Sequence, residues 1–332
     1  MRLQVCFVKT ALHREMQSLL SNLNRLLRSF LTCFFAATLA AQPLQERYSG
    51  IGEVVLLSLS TAPFPDALRD SGHTYGGITF SAREHYQDST VGVFIPKGYR
   101  KDRPLDIVVH IHGWYNSVDS VFAQFKLAEQ LFESRKNAIL VILQGPKNAP
   151  DSYGGKLEQM DAFRRLMTDV MGKLLEQGKI GTKDIRSIII SGHSGAYRMI
   201  SFILMHGGMT EKITEVYLFD ALYGNVEKYA YWIDHFRGRL VTIYTDDAGT
   251  RGTTEGFMED LTAWKIPFAN VEESGSVDSR STWSGKPLPA LTPRDLRTHR
   301  VVFIHTDVQH NDVLSARQEF RSYLESGTLE ER

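Results

Sequence analysis

The feature that most constrains the fold is an alternation of short apolar, β-branched runs with longer helical patterns, from about residue 50 onward. Several runs are continuously apolar rather than alternating, as in strands that helices cover on both faces. This alternation predicts an α/β domain with a doubly wound, mostly parallel sheet of about eight strands. The predicted strands cover residues 54–59, 91–95, 107–111, 138–143, 188–190, 216–219, 240–244 and 301–304.

Helices are expected between these strands, and two stretches remain without an assigned structure. The predicted helices cover residues 120–135, 157–177, 196–205, 226–236, 254–264 and 312–324. Residues 145–155 are rich in turn-forming residues, and residues 265–300 have scattered Gly, Ser and Pro. Since long loops in compact domains are usually functional or mobile, we interpret the first stretch as a site wall and the second as a lid, with plain surface excursions as the alternative.

Composition narrows the class of protein. With 42% hydrophobic and 23% charged residues, the chain resembles an ordinary globular protein rather than a disordered, collagen-like or multi-span membrane protein. Its 38 basic residues balance 38 acidic ones, so the net charge is zero. A basic stripe that would bind nucleic acid is therefore not expected.

The amino terminus has the pattern of a secretory signal. Residues 1–28 carry five basic residues against one acid, an apolar run follows at 30–39, and Ala40 and Ala41 come next. The pattern predicts a signal peptide over residues 1–41. The apolar run is shorter than the roughly 20 residues that span a bilayer, so no stable membrane anchor is expected. An amphipathic N-terminal helix is the alternative.

Cleavage there would leave an exported domain of residues 42–332, either periplasmic or secreted. Both cysteines, Cys6 and Cys33, would be removed, which excludes a disulfide scaffold or a Cys nucleophile in the mature chain. Because the basic segment is long, Met16 is an alternative start.

The sharpest motif is Gly192-His193-Ser194-Gly195-Ala196, which lies between a predicted strand and a predicted helix. In this arrangement a serine sits on a strained turn with its hydroxyl presented at the carboxyl edge of the sheet. The last small residue is Ala instead of the usual Gly, and a simple strand-to-helix turn is the alternative. Ser194 is the predicted nucleophile.

From about residue 50 to 325 the chain resembles the α/β-hydrolase superfamily, on the strength of this motif and its context. The resemblance implies a serine hydrolase that cleaves an ester through an acyl-enzyme, with site residues in the order Ser, acid, His. It also implies two backbone N–H groups that bind the oxyanion, each worth on the order of 3 kcal/mol of barrier. One belongs to Gly195, and the other to the loop that begins His112-Gly113-Trp114, from Trp114 or from Gly113.

The resemblance places the catalytic histidine after the last strand. His310 is favoured there over His305, which continues the strand, because His310 lies in a loop ahead of a helix that Asp312 could cap. His193 is expected to point away from the serine and pack beneath it.

Two positions compete for the acid that orients the imidazole. Asp220 follows an apolar strand and has apolar neighbours that would desolvate its carboxylate. The alternative, Asp246 or Asp247, stands in a segment that is typical of a solvated turn. We favour Asp220.

Other readings remain open from the sequence. His110 and His112 share one face of a strand and could bind a metal ion in a metal-dependent hydrolase. However, no third or fourth ligand can be identified from the spacing of residues in the sequence. A non-catalytic binding protein of the same fold is another alternative, because function depends on the site. Residues 249–253 lack the ending of a phosphate-binding loop. No cofactor and no metal are expected.

The expected partner is a small-molecule or glycan ester. Trp114, Tyr115, Tyr153 and Tyr197 lie near the motifs and could line its cleft, or pack in the core or at its rim.

Overall fold

A computed structural model describes residues 43–273 and 282–332. The predicted signal peptide, residues 1–41, lies outside the described residues. The chain divides into two units, one up to Arg47 and one from Tyr48 to Arg332. Everything below concerns the larger unit.

The strands, in chain order, are β1 (Gly52–Ser58), β2 (His73–Tyr75), β3 (Ile78–Phe80), β4 (Thr90–Pro96), β5 (Leu105–Ile111), β6 (Ala138–Leu143), β7 (Ile185–His193), β8 (Ile213–Phe219), β9 (Arg239–Tyr244), β10 (Ala269–Glu272), β11 (Thr282–Trp283), β12 (Lys286–Pro287) and β13 (Val301–His305). Nine of these strands from the described residues form one sheet, in the order β1-β4-β6-β5-β7-β8-β9-β13-β10. Strand β4 runs antiparallel to both of its neighbours, and the pairs from β6 to β10 are all parallel. The pairs β2–β3 and β11–β12 form two small hairpins.

The first helix, α1 (Leu44–Tyr48), begins in the smaller unit. The helices of the larger unit flank the sheet and are α2 (Ala82–His85), α3 (Val118–Gln124), α4 (Leu127–Glu133), α5 (Ala162–Glu176), α6 (Tyr197–His206), α7 (Val226–His235), α8 (Thr250–Ala263), α9 (Pro293–Thr298) and α10 (Glu319–Ser326). Short 3₁₀ turns occur at Ala67–Arg69, Gly155–Glu158, Ser194–Ala196 and Thr210–Lys212. No helix of the described chain is both long enough and apolar enough to cross a membrane.

The architecture confirms the predicted α/β class and the mostly parallel, doubly wound sheet. All eight predicted strands are present. Every residue of β5 and β6 is buried, as expected for parallel strands with helices on both faces. The ninth strand, β10, falls within the stretch that the sequence left unassigned; it has four residues and lies at the sheet edge.

Three predicted helices are broken or begin later in the structure. The segment 120–135 forms two helices because Lys126 adopts a left-handed backbone (φ +53°) that interrupts the helical hydrogen bonds. The segment 157–177 begins as a 3₁₀ turn, and α5 starts only after Asp161, which is also left-handed (φ +58°). The third, 312–324, begins at Glu319, so the expected capping of a helix by Asp312 is wrong. Instead, the Asp312 carbonyl accepts backbone bonds within a turn.

The topology positions the site. Since the carboxyl ends of parallel strands lie at one edge of a sheet, the loops after β5, β7, β8, β9 and β13 meet there. These loops carry the motif residues that the sequence analysis singled out.

Candidate active site

Ser194 lies on a sharp turn between β7 and α6. Strand β7 ends at His193, and a 3₁₀ turn over Ser194–Ala196 leads into the helix at Tyr197. The backbone of Ser194 has φ +54°, a conformation that is strained for a residue with a side chain. The turn leaves Ser194 half-buried at the wall of a cavity.

The structure brings His310 between Ser194 and Asp220. Its Nε2 is 2.9 Å from Ser194 Oγ, and its Nδ1 is 2.6 Å from Asp220 Oδ2. Because an ionised carboxylate only accepts hydrogen bonds, Nδ1 carries the proton that is donated to Asp220. The Nε2 lone pair then accepts the hydroxyl proton of Ser194. The three side chains form one continuous hydrogen-bonded chain.

Asp220 is fully buried, yet protein groups donate several hydrogen bonds to its carboxylate. Thr245 donates to it from both its hydroxyl (2.6 Å) and its backbone N–H (3.2 Å), and the Thr250 hydroxyl donates to Oδ1. Burial opposes ionisation, but the hydrogen bonds from His310, Thr245 and Thr250 outweigh it and hold the pKa of Asp220 below its usual value. The group facing His310 is therefore a carboxylate anion.

The two threonines are site residues that the sequence analysis missed. Thr245 directly follows β9, and Thr250 begins α8 beside the Asp246-Asp247 pair. Their position at the carboxyl edge of the strand next to β8 was the available signal.

The competing acids and the competing base have other partners. Asp246 forms an ion pair with Arg251 (2.6 Å) and lies 3.2 Å from His305 Nε2. The other nitrogen of His305 faces Glu272 at 3.0 Å. Asp247 is exposed and makes no hydrogen bond to His310 among the residues described.

His193 supports the loop that carries His310. Its Nε2–H donates to the His310 carbonyl (2.8 Å), and the two ring centroids are 4.6 Å apart. Burial lowers the pKa of His193 to about 4, so the imidazole is neutral. The sequence indicated packing beneath the serine but not this contact.

The loops after β5 and β7 touch each other beside Ser194. A Cβ on Gly113 would lie 2.6 Å from Ser194 Cβ, and a Cβ on Gly195 would lie 2.6 Å from Trp114 Cδ1. Only glycine allows such close approaches. Trp114 and Gly195, the residues predicted to bind the oxyanion, thus both adjoin the nucleophile. The Tyr115 N–H is already used, since it donates to the Ala149 carbonyl.

The His110 and His112 pair serves the scaffold. His112 Nε2 accepts from the Gly145 N–H (2.9 Å), and its Nδ1–H donates to the Gly113 carbonyl (2.8 Å), so neither nitrogen has a lone pair left for a metal ion. His110 is bonded to the Ser191 hydroxyl at 3.0 Å. Over residues 43–273 and 282–332 no cluster of three or more metal-ligating side chains was found.

A cavity of about 450 Å³ opens at Ser194 and His310. The other residues that line it are aromatic, small or neutral: Trp114, Tyr115, Tyr197, Tyr223, His193, Ser152, Gly195, Ala248 and Asn311. No Asp, Glu, Lys or Arg is among the described residues that line it. Tyr153, in contrast, is buried against Phe64 in a satellite core.

The two unassigned loops differ in their relation to this cavity. The stretch 145–155 contributes Ser152 to its wall. None of the cavity-lining residues comes from the described part of 265–300, and residues 274–281 of the expected lid lie outside the described chain.

Comparison with known proteins gives similarity only among solved structures. No protein-family model matches the chain, and no curated protein does. A feruloyl esterase module from Clostridium thermocellum, complexed with sinapinate, is similar at 11% identity and a TM-score of 0.48, over 83% of this chain and 88% of that one.

Two further structures are similar at the same level. A fluorophosphonate-binding serine hydrolase of Staphylococcus aureus has 11% identity and a TM-score of 0.47, over 83% of this chain and 99% of the other. An acetyl xylan esterase from Aspergillus awamori has 10% identity and a TM-score of 0.48, over 83% and 100%. The strand order and the turn at Ser194 themselves give this chain an α/β-hydrolase fold.

Proposed function

We propose that the protein is a serine hydrolase that cleaves carboxylic esters through an acyl-enzyme. The observation that carries this proposal is the hydrogen-bonded chain from Ser194 through His310 to the buried carboxylate of Asp220. A nucleophile, a base and a group that orients the base in this geometry are what acyl transfer requires.

In the proposed mechanism, Ser194 Oγ bonds to the ester carbonyl carbon while His310 Nε2 takes the hydroxyl proton. The carbonyl electron pair moves onto its oxygen, and the N–H groups of Gly195 and Trp114 stabilise that charge. The bond to the alcohol then breaks, and the alcohol leaves with the proton from His310. A water molecule, deprotonated by His310, then attacks the acyl carbon. The bond from that carbon to Ser194 Oγ breaks, His310 returns the proton to Oγ, and the acid leaves.

The cavity wall supports an uncharged ester as substrate. Because no Asp, Glu, Lys or Arg side chain is found among its described lining residues, a charged acyl group would have no opposite charge to pair with. Aromatic side chains offer apolar area to a small-molecule or a glycan ester. The N-terminal pattern supports export, so we propose that the domain acts outside the cytoplasm.

The non-catalytic alternative is not favoured. A binding relic of this fold would have Ser194 and His310 out of hydrogen-bonding reach, or a blocked cleft. Here the two groups are 2.9 Å apart beside an open cavity of about 450 Å³.

Labelling with a fluorophosphonate tests the nucleophile. We expect one label per chain on Ser194, and we expect Ser194→Ala to lose the label and on the order of 10⁶-fold in turnover of 4-nitrophenyl esters. Ser322→Ala, an exposed serine on α10, is the control and should behave as wild type. Turnover retained by Ser194→Ala would refute the proposal. A screen of acyl chain lengths and acetylated sugars then defines the substrate.

A further inference from the structure

Ser152 places a hydroxyl in the cavity that no step of the mechanism above uses. Its Oγ accepts a hydrogen bond of 2.8 Å from Trp114 Nε1. The residues on either side fix its loop, because Asp151 accepts from the Tyr153 N–H (2.9 Å) and from Arg69 Nε (2.7 Å). The Ser152 hydroxyl is therefore held in place by the hydrogen bonds of Asp151 and by its own hydrogen bond from Trp114.

The hydrogen-bond inventory of Ser152 is incomplete. A serine hydroxyl has one proton to donate and two lone pairs, and an indole N–H can only donate. The bond from Trp114 thus occupies a lone pair and leaves the Ser152 proton without a use. Over residues 43–273 and 282–332, the structure shows no acceptor for that proton. Since Ser152 lines the cavity, the proton is available to a ligand there.

The position of Ser152 indicates which atom of the ligand it would reach. Its Oγ lies 2.8 Å from the place where a Cβ on Gly195 would stand, and it contacts the side chain of Trp114. The hydroxyl therefore adjoins both residues whose N–H groups are proposed to bind the oxyanion.

We propose that Ser152 is a third hydrogen-bond donor to the carbonyl oxygen of the substrate, and thereby a catalytic residue. This inference rests on the proposed function. When Ser194 Oγ bonds to the carbonyl carbon, negative charge develops on the oxygen, and a fixed hydroxyl beside it stabilises the transition state more than the neutral ester. The Trp114 side chain holds the hydroxyl, and the Ser152 proton stays on its own oxygen throughout.

Ser152→Ala tests the donor. We expect kcat for 4-nitrophenyl acetate to fall roughly 10²-fold with KM within about twofold, because the lost bond forms mainly in the transition state. The Ki of phenylboronic acid, whose adduct with Ser194 mimics the tetrahedral intermediate, should rise by a similar factor. Ser152→Thr keeps the hydroxyl and should stay within about tenfold of wild type, and Ser322→Ala should match wild type.

Three results would overturn the inference while leaving the proposed function intact: an unchanged kcat in Ser152→Ala, an effect on KM alone, or an equal loss in the Ala and Thr variants. The last would show that packing rather than the hydroxyl matters. A wild-type chain that hydrolyses no ester and takes no fluorophosphonate label would instead overturn the proposed function, and this inference with it.

Discussion

Asp220 combines two properties at the scale of a single residue. Its backbone is left-handed (φ +46°), and its N–H donates to the Ile243 carbonyl at 2.9 Å, so the residue is fixed by the neighbouring strand β9. Its carboxylate accepts from Thr245 and Thr250 as well as from His310. Such a carboxylate can orient an imidazole without taking its proton, because its own pKa is held low.

Asp220→Asn should therefore cost on the order of 10⁴-fold in kcat. The amide lacks the charge that stabilises the imidazolium, and its NH₂ group favours the wrong tautomer of His310. Asp247→Asn, at an exposed neighbour of the competing site, should stay within about twofold of wild type. Steady-state kinetics on one ester, with the melting temperature as the check on folding, measures both. The reverse pattern would transfer the acid role to Asp247.

The sequence could indicate these side chains only where they follow strands. Ser194, Asp220 and His310 each stand at or just after a recognisable apolar run, so strand ends predicted that they would meet. Thr245 and Thr250 reach Asp220 across 25 and 30 residues, and Ser152 reaches Trp114 across 38. The end of β9 marks where Thr245 lies, but no local pattern marks the contacts themselves, because they depend on how the loops pack.

The hairpin of β2 and β3 packs against the proposed oxyanion loop. Its Gly76-Gly77 turn has two positive φ angles, as a tight two-residue hairpin requires. Tyr75, on one face of the hairpin, packs edge-on against Trp114 with ring centroids 5.1 Å apart. Phe80, on the same face, packs against Tyr115 at 6.3 Å. The hairpin thus supports the loop after β5 from outside.

Tyr75→Ala should lower kcat/KM about twofold to tenfold, because an aromatic pair worth about 0.5–1.5 kcal/mol no longer holds Trp114 in place. The melting temperature should change little, since Tyr75 is about half exposed (48%). Ile78, directly opposite Tyr75 in the hairpin, is 63% exposed and provides the matched control as Ile78→Ala. If both variants lose the same activity, the effect belongs to the hairpin as a whole and not to the Tyr75 contact.

At this scale the sequence predicted the elements but not their breaks. Phe125 and Leu127 are both buried, so the apolar pattern continues across Lys126 although the helix does not. Periodicity reports which side chains face the core. It does not report a left-handed residue that changes the direction of the chain. The edge strand β10 was missed for a related reason, since its four residues are too short for a pattern to develop.

At the scale of the whole molecule, buried neutral histidines connect the site loops to the sheet. His112 joins the loop after β5 to the loop after β6, and His193 joins β7 to the loop after β13. Burial lowers the pKa of each to about 4, and it lowers the pKa of His110 further below its usual value. The bond that His112 Nε2 accepts from the Gly145 N–H requires the neutral ring, so protonation of His112 would break it. His193 donates to the His310 carbonyl in either protonation state, and burial is what disfavours its charged form.

This arrangement predicts a loss of stability in mild acid. An unfolded histidine titrates near pH 6.5, whereas folded His112 and His193 titrate near 4, so between these values the unfolded chain binds protons that the folded chain does not. The stability that the two neutral rings contribute to the folded chain is fully present above pH 6.5 and is lost as the pH falls toward 4. For each of these two histidines, the free energy of unfolding should be about 2 kcal/mol lower at pH 5 than at pH 7.5.

Urea unfolding at pH 5 and at pH 7.5 measures this difference. The side chain of His112→Gln cannot take up a proton, so its free energy of unfolding should fall about 2 kcal/mol less than that of wild type from pH 7.5 to pH 5. His235 is exposed, and His235→Gln should show the same fall as wild type. Equal stability of the wild-type chain at both pH values would show that these rings are not held neutral by burial.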